Sequence, residues 1–195
     1  MAQLLGETTD ANNYSRQMNK VKEGYNRCWN GYAYRHPEYN DCTDDRVQAL
    51  AVVSGIAEQD KYPYIIDLFK KQFYASPYME KYVMEALFVM GEGKYAMERM
   101  QKRFAPMVNH PFYTTLFEGW DIGPNGFGGG TVNHAWSGGP LIVIARYVCG
   151  IEPLDAAYKT FRIAPDDTYL HQAAITIPTI CLLYTSPSPR DPKTS

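Results

Sequence analysis

From residue 10 to residue 148 apolar side chains recur at helical spacing in segments joined by short links, and this confines the chain to helices that run antiparallel to their neighbours. The first segment opens at Thr9-Asp10, a capping pair, and carries Tyr14, Met18, Val21, Tyr25 and Cys28 along one stripe. Asn30-Gly31 turns the chain. A second helix starts at Thr43-Asp44-Asp45, sets Val47, Leu50, Ala51 and Ser54 on one face, and is expected to end near Glu58. The third opens at Pro63, directs Ile65, Leu68, Phe69 and Phe73 inward, and is broken by Ser76-Pro77. A fourth, from Tyr78, buries Met79, Tyr82, Val83, Ala86, Leu87 and Met90 and stops at Gly91 or Gly93; a fifth carries Met97, Met100 and Phe104. The last, from about Trp136 to Val148, has Pro140 in its first turns and is apolar nearly all round apart from Arg146, so deep burial is expected. With alternate helices beginning on the same side, the starts at Thr43, Tyr78 and His134 are expected to share one rim.

Beyond the last helix the period changes. Tyr158 to Ile163 alternates apolar and polar residues, and a second strand is expected near Ala173 to Ile177. Two strands make no stable sheet alone, so the chain is expected to enter a β domain without completing it. The Ser/Pro-rich end, from Cys181, reads as a disordered linker or, the favoured expectation, as translated sequencing-adapter read-through foreign to the protein. The expected organisation is a helical domain over 1–150, the beginning of a β domain over 151–180, and a disordered or non-native tail over 181–195.

Composition narrows the function. Lys+Arg 19 against Asp+Glu 21 gives a formal net charge of -2, with no basic cluster to neutralise phosphates, which argues against nucleic acid. No apolar run approaches the roughly 20 residues that cross a bilayer, so no membrane partner is expected. The first ten residues show neither a basic nor an apolar signal region, which leaves the compartment open. Cys28, Cys42, Cys149 and Cys181 are irregularly spaced and read as reduced, mostly buried thiols; no two histidines have the helical spacing of a metal pair, so neither metal nor cofactor is expected.

The chemistry gathers in one stretch. Between Asn109 and Gly130 the helical pattern gives way to Pro111, Pro124 and six glycines in 119–130, a loop of the length that is usually functional. Glu118 lies in that loop beside Trp120, and His134 opens the last helix. A carboxylate so placed can activate water as a general base while indole and imidazole hold a polyol. The competing reading is that Glu118 only caps a helix or binds loop N–H groups. Trp136 can be a stacking platform or a core residue, and Tyr78, at a helix start, is a candidate ligand contact.

Thr114-Thr-Leu-Phe-Glu-Gly-Trp120 and Gly129-Gly-Thr-Val-Asn-His-Ala-Trp-Ser-Gly-Gly-Pro140 closely resemble the late catalytic-domain motifs of the α-L-rhamnosidases of glycoside hydrolase family 78. Asp44-Asp-Arg-Val-Gln-Ala-Leu-Ala-Val-Val53 and Ser76-Pro-Tyr-Met-Glu-Lys-Tyr82 look like segments of its bacterial members, and the resemblance spans about residues 10–165. It implies a mainly α fold, a partial six-hairpin α/α barrel followed by the start of a C-terminal β-sandwich. It further implies inverting hydrolysis of terminal α-L-rhamnosides, with Glu118 as general base and His134 on the sugar, joined as substrate-binding candidates by Trp120, Asp44 and Tyr78. Phe117 stands where many relatives carry Trp.

In the family the general acid lies upstream, outside this chain, so the chain is expected to hold half an active site and to need the missing N-terminal half of the same protein. Asp44, Asp45 and Glu80 are read as helix-capping carboxylates before sugar contacts. Two alternatives remain open. One is a different α/α-toroid carbohydrate enzyme, either another glycosidase or a polysaccharide lyase, although a lyase wants a cation beside its base to neutralise an acidic sugar. The other is a non-catalytic carbohydrate-binding or helical scaffold, although no repeat period links the helix pairs.

Overall fold

Ser76 accepts a hydrogen bond from the Met79 N–H at 3.4 Å, and Pro77 follows at a position that has no N–H to satisfy; together they start a helix where the sequence breaks one. A computed structural model describes residues 1–121, 130–166, 170, 172–178 and the backbone of 183–186. They fall into two units, Met1–Tyr74 and Ala75–Ser195. The described part is mainly helical, with two small antiparallel sheets.

The first unit contains α1 (Thr8–Asn26), α2 (Asp45–Val53) and α3 (Tyr62–Lys71). Helix α1 forms as expected, but its stripe is only partly used: Tyr14, Met18 and Val21 are exposed, while Tyr25 is half-buried and packs on Tyr34 with ring centroids 5.1 Å apart. Helix α2 ends earlier than expected. Gly55 adopts φ +70°, and the N–H groups of Gly55 and Ile56 close on the carbonyls of Val52 and Ala51, which stops the helix at Val53. Its buried face is also rotated from the expected one. Asp45, Gln48, Ala49 and Val52 are buried together with Ala51, the one expected residue that is, whereas Leu50 is exposed. The cause is Gln48, whose amide mimics a peptide: Oε1 accepts from the Tyr34 N–H and Nε2 donates to the Tyr34 carbonyl, both at 2.8 Å. A buried side-chain amide satisfied on both sides can take a core position that a hydropathy pattern assigns to leucine. In α3, Ile65, Leu68 and Phe69 are buried as expected, while Phe73 lies past the helix end and is exposed.

The second unit is built on α4 (Pro77–Val89) and α5 (Gly93–Val108), which pack together across a short link in which Gly91 takes φ +82°. Val83, Ala86 and Leu87 are buried as expected, but Met79, Tyr82 and Met90 are only half-buried. Their place is taken by Glu80, Met84 and Glu85. Met84 joins Met100, Phe104, Met107, Phe117 and Val143 in the unit's main apolar cluster. Glu80 is fully buried, at 0% exposure, against Arg99 at 2%. The two form a bidentate pair, Nε to Oε1 at 2.5 Å and Nη2 to Oε2 at 3.1 Å, and Arg103 Nη1 adds a third bond to Oε2 at 2.6 Å. Glu80 is therefore neither a helix cap nor a rim carboxylate.

The last helix is three short pieces: a 3₁₀ turn (Ala135–Gly138), α6 (Gly139–Val143) and a π turn (Ile144–Val148). Gly139 permits its approach to α4, since a Cβ there would lie 2.6 Å from the Lys81 Cβ. Deep burial does not hold. Val143 and Val148 are buried, but Trp136 is 68% and Leu141 69% exposed, because α4 covers one face of an element that is apolar on several. The chain then forms β1 (Ile151–Pro153), a strand the sequence did not announce, paired antiparallel with β2 (Phe161–Ile163). The residues expected to begin β2 turn instead, with Ala157 and Tyr158 at positive φ. A second pair joins β3 (Ile175–Pro178) to the backbone of β4 (Leu183–Ser186), inside the segment read as a tail. Of the cysteines, Cys149 is buried, Cys28 half-buried and Cys42 exposed, so the expectation of mostly buried thiols is met at one described position; Cys181 lies outside the described residues. Among the described residues no helix is long and apolar enough to cross a membrane.

Replacing Glu80 by Ala would remove the buried carboxylate that Arg99 and Arg103 share, and the expected loss is about 3–5 kcal/mol of stability. Urea unfolding would show a lower midpoint at unchanged slope, while exposed Glu98→Ala stays within about 0.5 kcal/mol.

Candidate functional site

Two stretches of chain, 115–118 and 131–134, are laced together on the second unit. The Glu118 N–H donates to the Thr131 carbonyl at 3.0 Å, the His134 N–H to the Leu116 carbonyl at 2.9 Å, and the Thr115 hydroxyl to the Val132 carbonyl. Ser137, fully buried, donates its hydroxyl to the Phe117 carbonyl at 2.7 Å. Phe117 sends its ring into the apolar cluster, while its neighbour Glu118 remains half-buried beside Thr131. The lacing therefore fixes both ends of the loop on either side of the glycines. Residues 122–129 of that loop lie outside the described part.

The Glu118 carboxylate is held by the residue its own backbone binds. Oε2 accepts from the Thr131 N–H at 3.0 Å and from the Thr131 hydroxyl at 3.4 Å, and that hydroxyl lies 3.4 Å from His134 Nδ1. These contacts hold the Glu118 pKa below the usual glutamate value: the backbone N–H of Thr131 contributes most, burial opposes it, and the His134 charge and the Thr131 hydroxyl add smaller lowering effects. Glu118 is thus ionised at neutral pH, the state in which a carboxylate accepts a proton. His134 also touches Trp136, with ring centroids 5.8 Å apart at 76°, and Trp136 packs on Tyr78 at 5.2 Å. Glu118, Thr131, His134, Trp136 and Tyr78 form one connected series, and the starts of α4 and of the last helix lie together within it.

Trp120 has a different setting. Its indole N–H donates to the Ala75 carbonyl at 2.7 Å, its ring meets Phe104 at 5.0 Å, and the Arg103 guanidinium lies over it at 4.1 Å. Arg103 also donates to the Ala75 carbonyl, at 3.1 Å. Trp120 therefore anchors the end of the Glu118 segment, and nothing in the sequence spacing marks Arg103 as its partner. Thr131 was missed as well, because its essential donor is main chain. Asp44 belongs to the first unit, where it caps α2 by accepting from the Arg46 N–H at 2.8 Å. Burial raises its pKa, but the side-chain and backbone hydrogen bonds of Arg46 outweigh that and lower it. Among the described residues no group of three or more His, Cys, Asp or Glu is arranged to hold a metal ion.

The chain matches no protein-family model and no curated protein. Among solved structures it is similar to the crystal structure of a GH78 family rhamnosidase of Bacillus sp. GL1, with a TM-score of 0.74 and 22% identity over 91% of this chain. The likeness is one of fold. This chain spans 20% of the length of that protein.

Because the folded Glu118 pKa is depressed, its contribution to stability is present above the unfolded glutamate pKa and is lost as pH falls through the folded value. A carbon-detected NMR titration is expected to show Glu118 titrating below an ordinary glutamate, and His134→Ala should move it upward by removing the neighbouring charge. A Glu118 midpoint at or above the ordinary value would contradict the described contacts.

Proposed function

We propose that the chain is the later part of the catalytic domain of an inverting glycoside hydrolase that cleaves terminal α-L-rhamnosides, with Glu118 as the general base. The observation that carries the reading is the Glu118 carboxylate fixed by Thr131 beside His134. The motif resemblance around both residues and the rhamnosidase fold of the structural neighbour support it. The helices then form part of a six-hairpin α/α barrel, and the strand pairs after residue 150 are the start of a C-terminal β-sandwich.

A carboxylate ionised at neutral pH is in the state that accepts a proton, which is consistent with the base role for Glu118. With Oε2 held by Thr131, Oε1 is the oxygen that receives the proton of the attacking water. The water oxygen bonds to the anomeric carbon as the glycosidic C–O bond breaks, and the departing oxygen takes a proton from a second carboxylic acid. Inversion requires that acid roughly 6.5–9.5 Å from Glu118, leaving room for the water. The reading places it in the N-terminal half of the same protein. His134 and Tyr78 contact the sugar, and Trp120 forms a wall anchored by Arg103. The reaction calls for no cofactor.

In the complete protein Glu118→Gln is expected to lower turnover of an aryl α-L-rhamnoside about 10²–10⁴-fold while sugar binding persists. The present chain alone should show no turnover. Unchanged turnover in the variant would point to a binding scaffold, and an unsaturated product would point to a lyase.

A further inference from the structure

Serines in or beside helices often turn their hydroxyls back on their own backbone, as Ser54 does at the end of α2, where Oγ donates to the Leu50 carbonyl at 2.6 Å. Ser137 does not. Its hydroxyl leaves the 3₁₀ turn and donates at 2.7 Å to the Phe117 carbonyl, 20 residues earlier in the chain, and the side chain is fully buried. An enclosed hydroxyl cannot exchange its partner for solvent, so this bond is a fixed cross-link.

The Phe117 carbonyl and the Glu118 N–H belong to one peptide plane. Ser137 holds that plane from the carbonyl side, and the Thr131 carbonyl holds it from the N–H side at 3.0 Å. The Phe117 ring, buried in the apolar cluster, pins the residue from a third direction. The same serine reaches His134 through its own main chain: the Ser137 N–H donates to the His134 carbonyl at 3.0 Å, and the His134 N–H donates to the Leu116 carbonyl at 2.9 Å. Leu116, Phe117, His134 and Ser137 therefore close a ring of hydrogen bonds that runs through His134 and ends beside Glu118. Within that ring the Ser137 hydroxyl is the one side-chain group, and every other donor and acceptor is main chain.

We propose that Ser137 is a positioning residue for the candidate base. By fixing the Phe117–Glu118 peptide against the His134 main chain, it keeps the Glu118 carboxylate on the Thr131 N–H and beside the imidazole. This rests on the reading of Glu118 as base and deepens it, because a base displaced by about 1 Å loses rate without losing substrate. Ser137 itself touches neither the sugar nor the attacking water.

The test is the carboxyl titration of Glu118 in the chain, followed by carbon-detected NMR. Ser137→Ala is expected to raise the Glu118 midpoint towards that of an ordinary glutamate, because the freed peptide turns and the Thr131 N–H loses its hold on Oε2. Ser137→Cys keeps the buried volume with only a weak S–H donor, so it moves the midpoint the same way even if Ser137→Ala folds too poorly to titrate. Leu87→Ala, which opens a cavity elsewhere in the interior of the same unit, lowers stability and leaves the midpoint in place. In the complete protein Ser137→Ala should lower kcat roughly 10- to 100-fold at unchanged KM. A Glu118 midpoint that neither serine variant moves, or that Leu87→Ala moves as far, overturns the positioning role. Turnover of the complete protein that is indifferent to Glu118→Gln overturns the base instead, so the two failures are distinct.

Discussion

The second unit is organised around a carboxylate that has no water left. Glu80 is enclosed by α4 and α5, and its ionised form is tolerable because Arg99 and Arg103 together give it three hydrogen bonds. The three residues form one hydrogen-bonded ionic group, and removing Glu80 takes away the carboxylate that both guanidinium groups share. The group also reaches outward. Arg103 grips the Ala75 carbonyl and lies over Trp120, and Trp120 binds the same carbonyl, so the entry to α4, the body of α5 and the end of the Glu118 segment meet at one polar knot.

The candidate site is assembled by main-chain pairing. Neither of the laced stretches is a strand, yet Glu118 with Thr131 and His134 with Leu116 make a short ladder across the glycine loop, and Ser137 ties the first turn of the last helix to Phe117. The alternation that buries Phe117 leaves Glu118 beside Thr131. Electrostatics follows from the same contacts: a main-chain dipole and an imidazole keep the carboxylate charged, and two aromatic rings extend the site on the far side of the imidazole.

Much of this was legible in the sequence where the signal is local. Ser76-Pro77 and Gly91 bracket α4 because capping and left-handed backbone are decided by a few adjacent residues. The faces were less legible. Gln48, Glu80 and Arg99 are core residues, and no hydropathy pattern finds them, since each is admitted by partners distant in sequence. The all-round apolar segment from Trp136 was read as deeply buried, but periodicity reports what a helix can bury, not whether something lies against it. Glu118 and His134 were found through a motif, whereas Arg103 and Thr131 act through geometry that leaves no mark in spacing. The pairing of 183–186 with β3 likewise rests on backbone hydrogen bonds, which a Ser/Pro-rich composition conceals.

The group that most lowers the Glu118 pKa is a peptide N–H, and this has a consequence for how the position tolerates change. Almost any residue at 131 supplies that donor, so the largest part of the carboxylate's tuning is encoded in the path of the chain, and the Thr131 hydroxyl adds a smaller part. Proline alone among the natural residues would delete the N–H. An alanine substitution there removes only the smaller contribution of the hydroxyl, and a change that alters the peptide bond itself, such as replacement of the amide by an ester, is what reveals the larger one.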